Sequence, residues 1–243
     1  MIKKRKMIII VAVVISLILF AIYLAWPRAS ESGPSTVEKA SGIIELPAPK
    51  TEGKMSVEGA IQKRRSIRKY TDEPITLEDI SQLLWAAQGI TDPEKGYRAA
   101  PSAGRTYPLE IYLVVGKGGV KGLLEGVYHY DPSAHALKKI LEGDIRSDLA
   151  KAAHGQPWVA EAPVNIVITA DYNRTTNKYG DLGARFVHME VGHAGENIYL
   201  EATARGLATV SLGSFYEDQV KELLKIPDNE NVLYIFPVGH SAS

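Results

Sequence analysis

Apolar positions along this chain follow two periods, and each marks a different kind of element. Ile80, Leu83, Leu84 and Ala87 repeat at helical spacing, with Thr76 placed to cap the first turn and Gly89 to end the helix. A longer helical pattern runs from Leu182 to Arg205 and stops at Gly206. Short helices are predicted over 56–66, with Ser56 as N-cap and Val57, Ala60 and Ile61 apolar, and over 217–225. Strand patterns occupy 109–116 and 231–240, and LATVSLG at 207–213 follows the long helix as part of the same α+β pattern. Residues 162–170, APVNIVITA, are apolar without interruption, as in a strand covered on both faces. Residues 126–141 predict a hairpin: Tyr128 and Tyr130 alternate with His129, Asp131-Pro132-Ser133 turns, and Ala136 to Ile140 returns. The mixture is that of an α+β domain.

The N-terminus follows a third pattern. After MIKKRK come twenty residues, 7–26, without a charge, which as a helix would span about 30 Å, a hydrocarbon core. Tyr23 and Trp26 close the segment as interfacial aromatics, and no A-x-A cleavage site follows, so an uncleaved anchor is expected rather than a removed signal peptide. The basic residues precede the span, which puts residues 1–6 in the cytoplasm and the remainder outside. Residues 27–54, rich in Pro, Ser, Gly, Lys and Glu, predict a tether, with Ile43 to Leu46 lying along the domain; the domain proper is expected at 55–243.

Lys and Arg number 28, as do Asp and Glu, but Lys3, Lys4, Arg5, Lys6 and Arg28 lie where there is no acid. Removing those five from the 28 leaves 23 basic against 28 acidic residues, a net of −5 from position 29 onward. This mildly acidic balance does not indicate a broadly basic face for nucleic acid. The absence of cysteine excludes disulfides, thiolate catalysis and cysteine-ligated metal centres.

RRSIRKY at 64–70 is the local exception to the acidic balance. It passes from a helix end into an extended segment, where Arg64, Ser66 and Arg68 share a side: two guanidiniums, each able to fork onto phosphate oxygens, flank a hydroxyl. Lys63 and Lys69 read as solvated. The loop 99–110 carries Ser102, Ala103 and Gly104, small residues that let backbone N–H groups approach a ligand. GKGGVKG at 116–122 lacks the Ser or Thr of a phosphate loop and reads as a glycine turn. His188 and His193 are five apart, about 140° around a helix, and so do not share a face as zinc ligands would. Glu190, His193, Asn197 and Glu201 form a polar stripe on that helix, and its small residues Gly192, Ala194 and Gly195 suit a subunit interface.

RRSIRKY, APSAGRTYPLEIYLV, GARFVHMEVGHAGENIYLEATARGLATV and YIFPVGH, in that order, resemble the nitroreductase superfamily of flavoproteins over about residues 56–240, and most of all its SagB-type dehydrogenases, which include azoline oxidases. The resemblance implies an α+β sandwich with a central antiparallel or mixed sheet flanked by helices, dimerising through long central helices with one non-covalent FMN at each of two interfacial sites. Arg64 and Ser66, helped by Arg65, would bind the phosphate, and Arg68 would sit near the ribityl chain and the N1/C2-carbonyl edge. Pro101, Ser102 and Gly104 correspond to the loop beside the flavin. Ser211, Leu212, Gly213 and Ser214 would pack on the ring, with the Gly213 amide facing N5. SLGSF stands where many relatives have Pro-x-Glu-Gly-Phe, and the usual late basic pair is missing, which leaves His240 as a weaker phosphate partner.

The expectation is thus a membrane-tethered homodimeric FMN oxidoreductase. It would take hydride from a donor such as NADH or NADPH, or from a quinol or peptide-like substrate if the domain lies outside the cytoplasm. A small organic acceptor would collect the electrons. The competing expectations are a flavin-binding module without turnover and a zinc hydrolase using His188, Glu190 and His193.

Overall fold

In a computed structural model the described residues are 42–242. The span expected at 7–26, residues 1–6 and the first part of the tether lie outside them. Among the described residues no helix is long and apolar enough to cross a membrane.

Seven strands form one antiparallel sheet in the order β1-β6-β5-β4-β7-β9-β8: β1 Ile43–Glu45, β4 Leu109–Val115, β5 Gly126–Asp131, β6 Ala136–Glu142, β7 Val164–Ala170, β8 Leu207–Thr209 and β9 Asn231–His240. A small hairpin, β2 Ile90–Asp92 with β3 Tyr97–Arg98, stands apart. Side-chain alternation divides the core in two. Leu109, Ile111, Leu113 and Val115 of β4 and Ile166, Ile168 and Ala170 of β7 pack with the helices Leu77–Gln88 and Gly183–Ala204 on one face. Tyr112, Val114 and Val167 pack on the other face with Leu149, Val159 and Val220 from the helices Arg146–Ala152, Pro157–Glu161 and Glu217–Leu224. β7 is buried at all seven positions, its two polar side chains paired, Asn165 Nδ2 donating to Val159 O and Thr169 Oγ1 to the Glu230 carboxylate.

Local chemistry explains the element ends. Thr76 and Asp79 make a reciprocal capping box at the start of the helix Leu77–Gln88. The Ser56 side chain accepts from Gly59 N–H at the head of the helix Val57–Lys63, which ends earlier than position 66 because the chain leaves to join the sheet edge. The tether is also shorter than its composition suggests. Ile43–Glu45 pairs with Lys138, Leu137 and Ala136, and the following residues are bonded to the domain: Leu46 N–H donates to His135 O, Ser81 Oγ to Pro47 O, and Lys50 and Gln82 exchange two bonds.

Candidate functional site

The arginine-rich stretch reaches the site by extending the sheet edge. After the helix Val57–Lys63, Ile67 N–H donates to Thr209 O (2.9 Å) and Ser66 makes a parallel bridge to Thr209, so the stretch runs beside β8. Arg64 lays its guanidinium 5.1 Å from the ring centroid of Tyr199, and its Nε is 4.0 Å from Glu196 Oε1. Ser66 Oγ lies 3.0 Å from the Tyr199 hydroxyl, which accepts from Ser211 N–H at 2.8 Å. Arg64, Ser66 and Ser211 therefore meet at one phenol. His240 ends β9 opposite Leu207, with its carbonyl accepting from Thr71 N–H.

The two other arginines go elsewhere. Arg65 folds back, donating to the carbonyls of Gln62 (2.9 Å) and Arg64 (2.7 Å), and so satisfies the orphan acceptors of a helix end. Arg68 does not share a side with Arg64 and Ser66: its guanidinium lies 5.6 Å from the Trp158 ring centroid, in the opposite helical layer. The strand geometry there is a single bridge, and by Tyr70 and Thr71 the chain has crossed to Ser241 and His240, so the two-residue alternation is not sustained over five positions.

Leu212 and Ile235 exchange both backbone bonds (2.8 and 3.0 Å), and the Leu212 side chain is buried in the second core. This fixes Gly213 next to it as exposed, side-chain-free backbone beside the Tyr234 ring. A cavity of about 410 Å³ opens there, lined by His188, Val191, Gly213, Phe215, Glu217 and Tyr234 among others. His188 Nε2 is 2.6 Å from the Tyr172 hydroxyl at its edge.

The second loop lies at the other end of the same long helix. Ser102 Oγ accepts from Tyr107 N–H (2.9 Å) and its hydroxyl meets the carboxyl of Glu190. Glu190 is only 2% exposed, and its Oε1 has no hydrogen-bond partner among the described residues. Burial pushes its pKa up to about 7, against the opposing pull of the Ser102 hydroxyl and Arg98. Gly104, Arg105 and Tyr107 all have positive φ (59, 57 and 45°), which glycine adopts freely and which strains the backbone at Arg105 and Tyr107. Pro101 is exposed beside them, and Lys178 Nζ donates to Gly104 O at 3.1 Å. Glu190 and Tyr199 are nine helical residues apart, about 13 Å. Only an extended ligand could touch both ends.

Tyr199, Tyr172 and Lys178 border these regions without having been singled out in the sequence, and His188 and Glu190, weighed there as zinc ligands, turn to Tyr172 and to the Ser102 loop instead. His188 turned to Tyr172 and Glu190 turned to Ser102 do not face a common ion. Tyr199 carried one signal, a hydroxyl among apolar neighbours on a helix otherwise buried on that side.

A guanidinium and two serine hydroxyls gathered round a phenol suit a phosphate, and bare backbone beside an aromatic edge suits a flat ring; these residues fit FMN. Fold and corner together define an antiparallel three-layer α+β domain with an anion-suited site at the sheet edge. The chain belongs to the nitroreductase family, whose pattern matches residues 61–240. A protein of Methanocaldococcus jannaschii named as a nitroreductase is 47% identical over 196 residues, 81% of this chain and 96% of its own length. The FMN reductase of Bacillus subtilis is 25% identical over 75% of this chain, which spans 65% of that relative. The crystal structure of a protein from Ralstonia eutropha assigned as a nitroreductase superposes with a TM-score of 0.72 at 30% identity, over 84% of this chain and 92% of that one. Distant relatives include the trifolitoxin-processing protein TfxB of Rhizobium leguminosarum, 28% identical over 68% of this chain and 47% of its own.

Proposed function

We propose that this chain is an FMN-dependent oxidoreductase of the SagB-type branch that passes two electrons from a donor to a small organic acceptor in alternating half-reactions. The observation that carries the reading is the convergence of Arg64, Ser66 and Ser211 on Tyr199, one short step along the backbone from exposed Gly213. Arg64 and Ser66 would hold the phosphate, with His240 as a weaker partner. The Gly213 amide would face N5, and the loop at Pro101, Ser102 and Gly104 would border the ring. Bound FMN supplies the hydride chemistry, while the chain supplies orientation and donors. Arg68, held on Trp158, is better placed to steady the corner than to face the ring's N1 edge.

The reading extends to a homodimer. Met189 of the long helix and Val57 and Ile61 of the neighbouring helix expose 53, 66 and 58% of their surface, apolar positions that a second copy would cover. It also extends to a membrane anchor at 7–26 with the domain outside the cytoplasm, where NADH and NADPH are scarce and a quinol or peptide-like donor takes their place. Purified full-length protein should be yellow, with about one FMN per subunit, and should bleach when the right donor is added. A colourless protein that ignores added FMN ends the proposal, and one that holds FMN but bleaches with no donor is the flavin-binding module without turnover.

A further inference from the structure

We infer that His188, oriented by Tyr172, is a specificity-determining residue: it presents a hydrogen-bond donor to the cavity beside Gly213 and selects neutral, flat molecules that carry a carbonyl-type oxygen. The inference rests on the FMN reading and deepens it, since that reading puts the reacting end of the flavin at Gly213. The cavity, of about 410 Å³, is within the size range of small-molecule sites. Phe215 and Tyr234 give it aromatic walls, and the Tyr234 ring is braced edge-on by Phe236 with centroids 5.4 Å apart. Those walls suit a flat apolar body. No lysine or arginine is among its described lining residues, whereas Glu217 is, so an anionic ligand would meet a like charge.

Glu217 is already committed, its Oε1 accepting from Asn231 Nδ2 at 2.9 Å and from Val232 N–H at 3.1 Å. His188 is exposed, with Nε2 2.6 Å from the Tyr172 hydroxyl. Burial, and after it the Glu217 charge, push the Tyr172 pKa up, so the phenol keeps its proton. A phenol O–H is a far stronger acid than a neutral imidazole N–H. The phenol therefore donates and Nε2 accepts, which puts the imidazole's own proton on Nδ1. An imidazolium carries that proton as well. Nδ1 has no hydrogen-bond partner among the described residues, so its N–H is left for a ligand. Tyr172 is a fixed support: its carbonyl accepts from the N–H groups of Thr175 and Thr176 (3.0 and 2.9 Å) at the head of the helix Asn173–Tyr179, and its ring packs on the first core. A carbonyl oxygen in the cavity takes the Nδ1 bond, whereas a hydrocarbon of the same shape leaves the donor unpaired.

1-Acetylnaphthalene and 1-isopropenylnaphthalene share a shape and differ in one oxygen. Full-length protein, FMN-loaded and flavin-free, is titrated with each by calorimetry. The parent is expected to bind the ketone about fivefold more tightly than the hydrocarbon, the worth of one neutral hydrogen bond. His188→Leu should abolish that preference with hydrocarbon affinity within about twofold, and His188→Asn, whose amide N–H stands near the place of Nδ1, should restore most of it. Tyr172→Phe, which lets the imidazole carry its proton on Nε2 instead, should lower the preference by about half. An undiminished preference in His188→Leu overturns the inference, as do an equal loss of both affinities and a parent that binds neither probe. Displacement of both probes by FMN would mean that the flavin ring itself fills the cavity; this inference then falls and the FMN reading stands. A protein that never binds FMN, yet prefers the ketone and loses that preference in His188→Leu, sinks the FMN reading and leaves recognition by His188 intact.

Discussion

Arg205, just past the end of the long helix, places its Nε 2.6 Å from Asp79 Oδ1 and so ties that helix to the capping box of the helix Leu77–Gln88. Burial pushes the Asp79 carboxyl up, but the Thr76 and Arg205 bonds outweigh it and hold the pKa below its ordinary value. A depressed carboxylate stabilises the fold above its unfolded pKa, and that contribution is lost as pH falls through the folded value. Arg205→Ala is therefore expected to cost about 1.5–3 kcal/mol near neutrality. The variant's deficit should shrink as pH falls through the folded pKa of Asp79, as read from urea midpoints across the acid range.

Glu190 carries the opposite sign. Its folded pKa, raised by burial from 4.5 to about 7, means that its stability contribution is complete below the unfolded value and is lost as pH rises through 7. Glu190→Gln keeps the shape and cannot ionise. Above pH 7 the variant should be more stable than the parent by about 2–3 kcal/mol, with a flatter profile of stability against pH between the two values. An unchanged slope would show that Glu190 does not ionise in this range.

The position of the domain boundary gives a third test. Ile44 and Leu46 are 2% and 8% exposed, and Pro47 and Lys50 are bonded to Ser81 and Gln82. Deleting residues 2–41 leaves all of these contacts, whereas deleting 2–54 removes β1 and uncovers β6. The second truncation should lose about 3–5 kcal/mol relative to the first, the burial of two aliphatic side chains, and melt correspondingly lower.

Arg64 and Arg65 are neighbours with different uses. Arg64→Ala should weaken FMN binding by about 1.5–3 kcal/mol with the melting temperature unchanged. Arg65→Ala, whose guanidinium is spent on the Gln62 and Arg64 carbonyls, should change FMN affinity by less than about twofold. Equilibrium titration of both variants separates them; equal losses would mean that Arg65 leaves the helix end when the ligand arrives.

Elements whose pattern repeats over several turns or alternations could be seen in the sequence. The helix from Gly183 to Ala204, the capped helix after Thr76, the 126–141 hairpin and the buried strand Val164–Ala170 are of this kind. The helices Arg146–Ala152, Pro157–Glu161 and Asn173–Tyr179 were not, because they are one or two turns long and none has a side-chain N-cap bond. β1 is three residues in a stretch composed like a linker, and only pairing with β6 makes it a strand. At the site, residue types announced the arginine stretch and the glycine-bearing loops. What could not be read was the partner: Ser66 and Tyr199 are 133 residues apart, and whether Arg68 follows Arg64 depends on where the sheet edge turns.

Gly104 offers the sharpest test of the second loop. Its φ of 59° lies in the left-handed region, where an L side chain costs about 1–2 kcal/mol. A Cβ there would also meet the Tyr179 hydroxyl and, at 2.6 Å, the Lys178 Nζ. Lys178 is the end of a flexible chain and can move, though at the loss of its bond to Gly104 O. Tyr179 cannot move as freely, since its ring packs edge-on against Phe186 with centroids 5.0 Å apart. The loop must therefore give way, and Arg105 and Tyr107, already at positive φ, must re-form with it. Gly104→Ala is expected to destabilise the fold by about 2–3 kcal/mol. Because Ser102 sits two residues earlier, bonded to Tyr107 and Glu190, the variant should also weaken any ligand held against this loop. A Gly104→Ala protein with the parent's melting temperature and FMN affinity would show that neither the backbone conformation nor the close approach of Tyr179 is needed there.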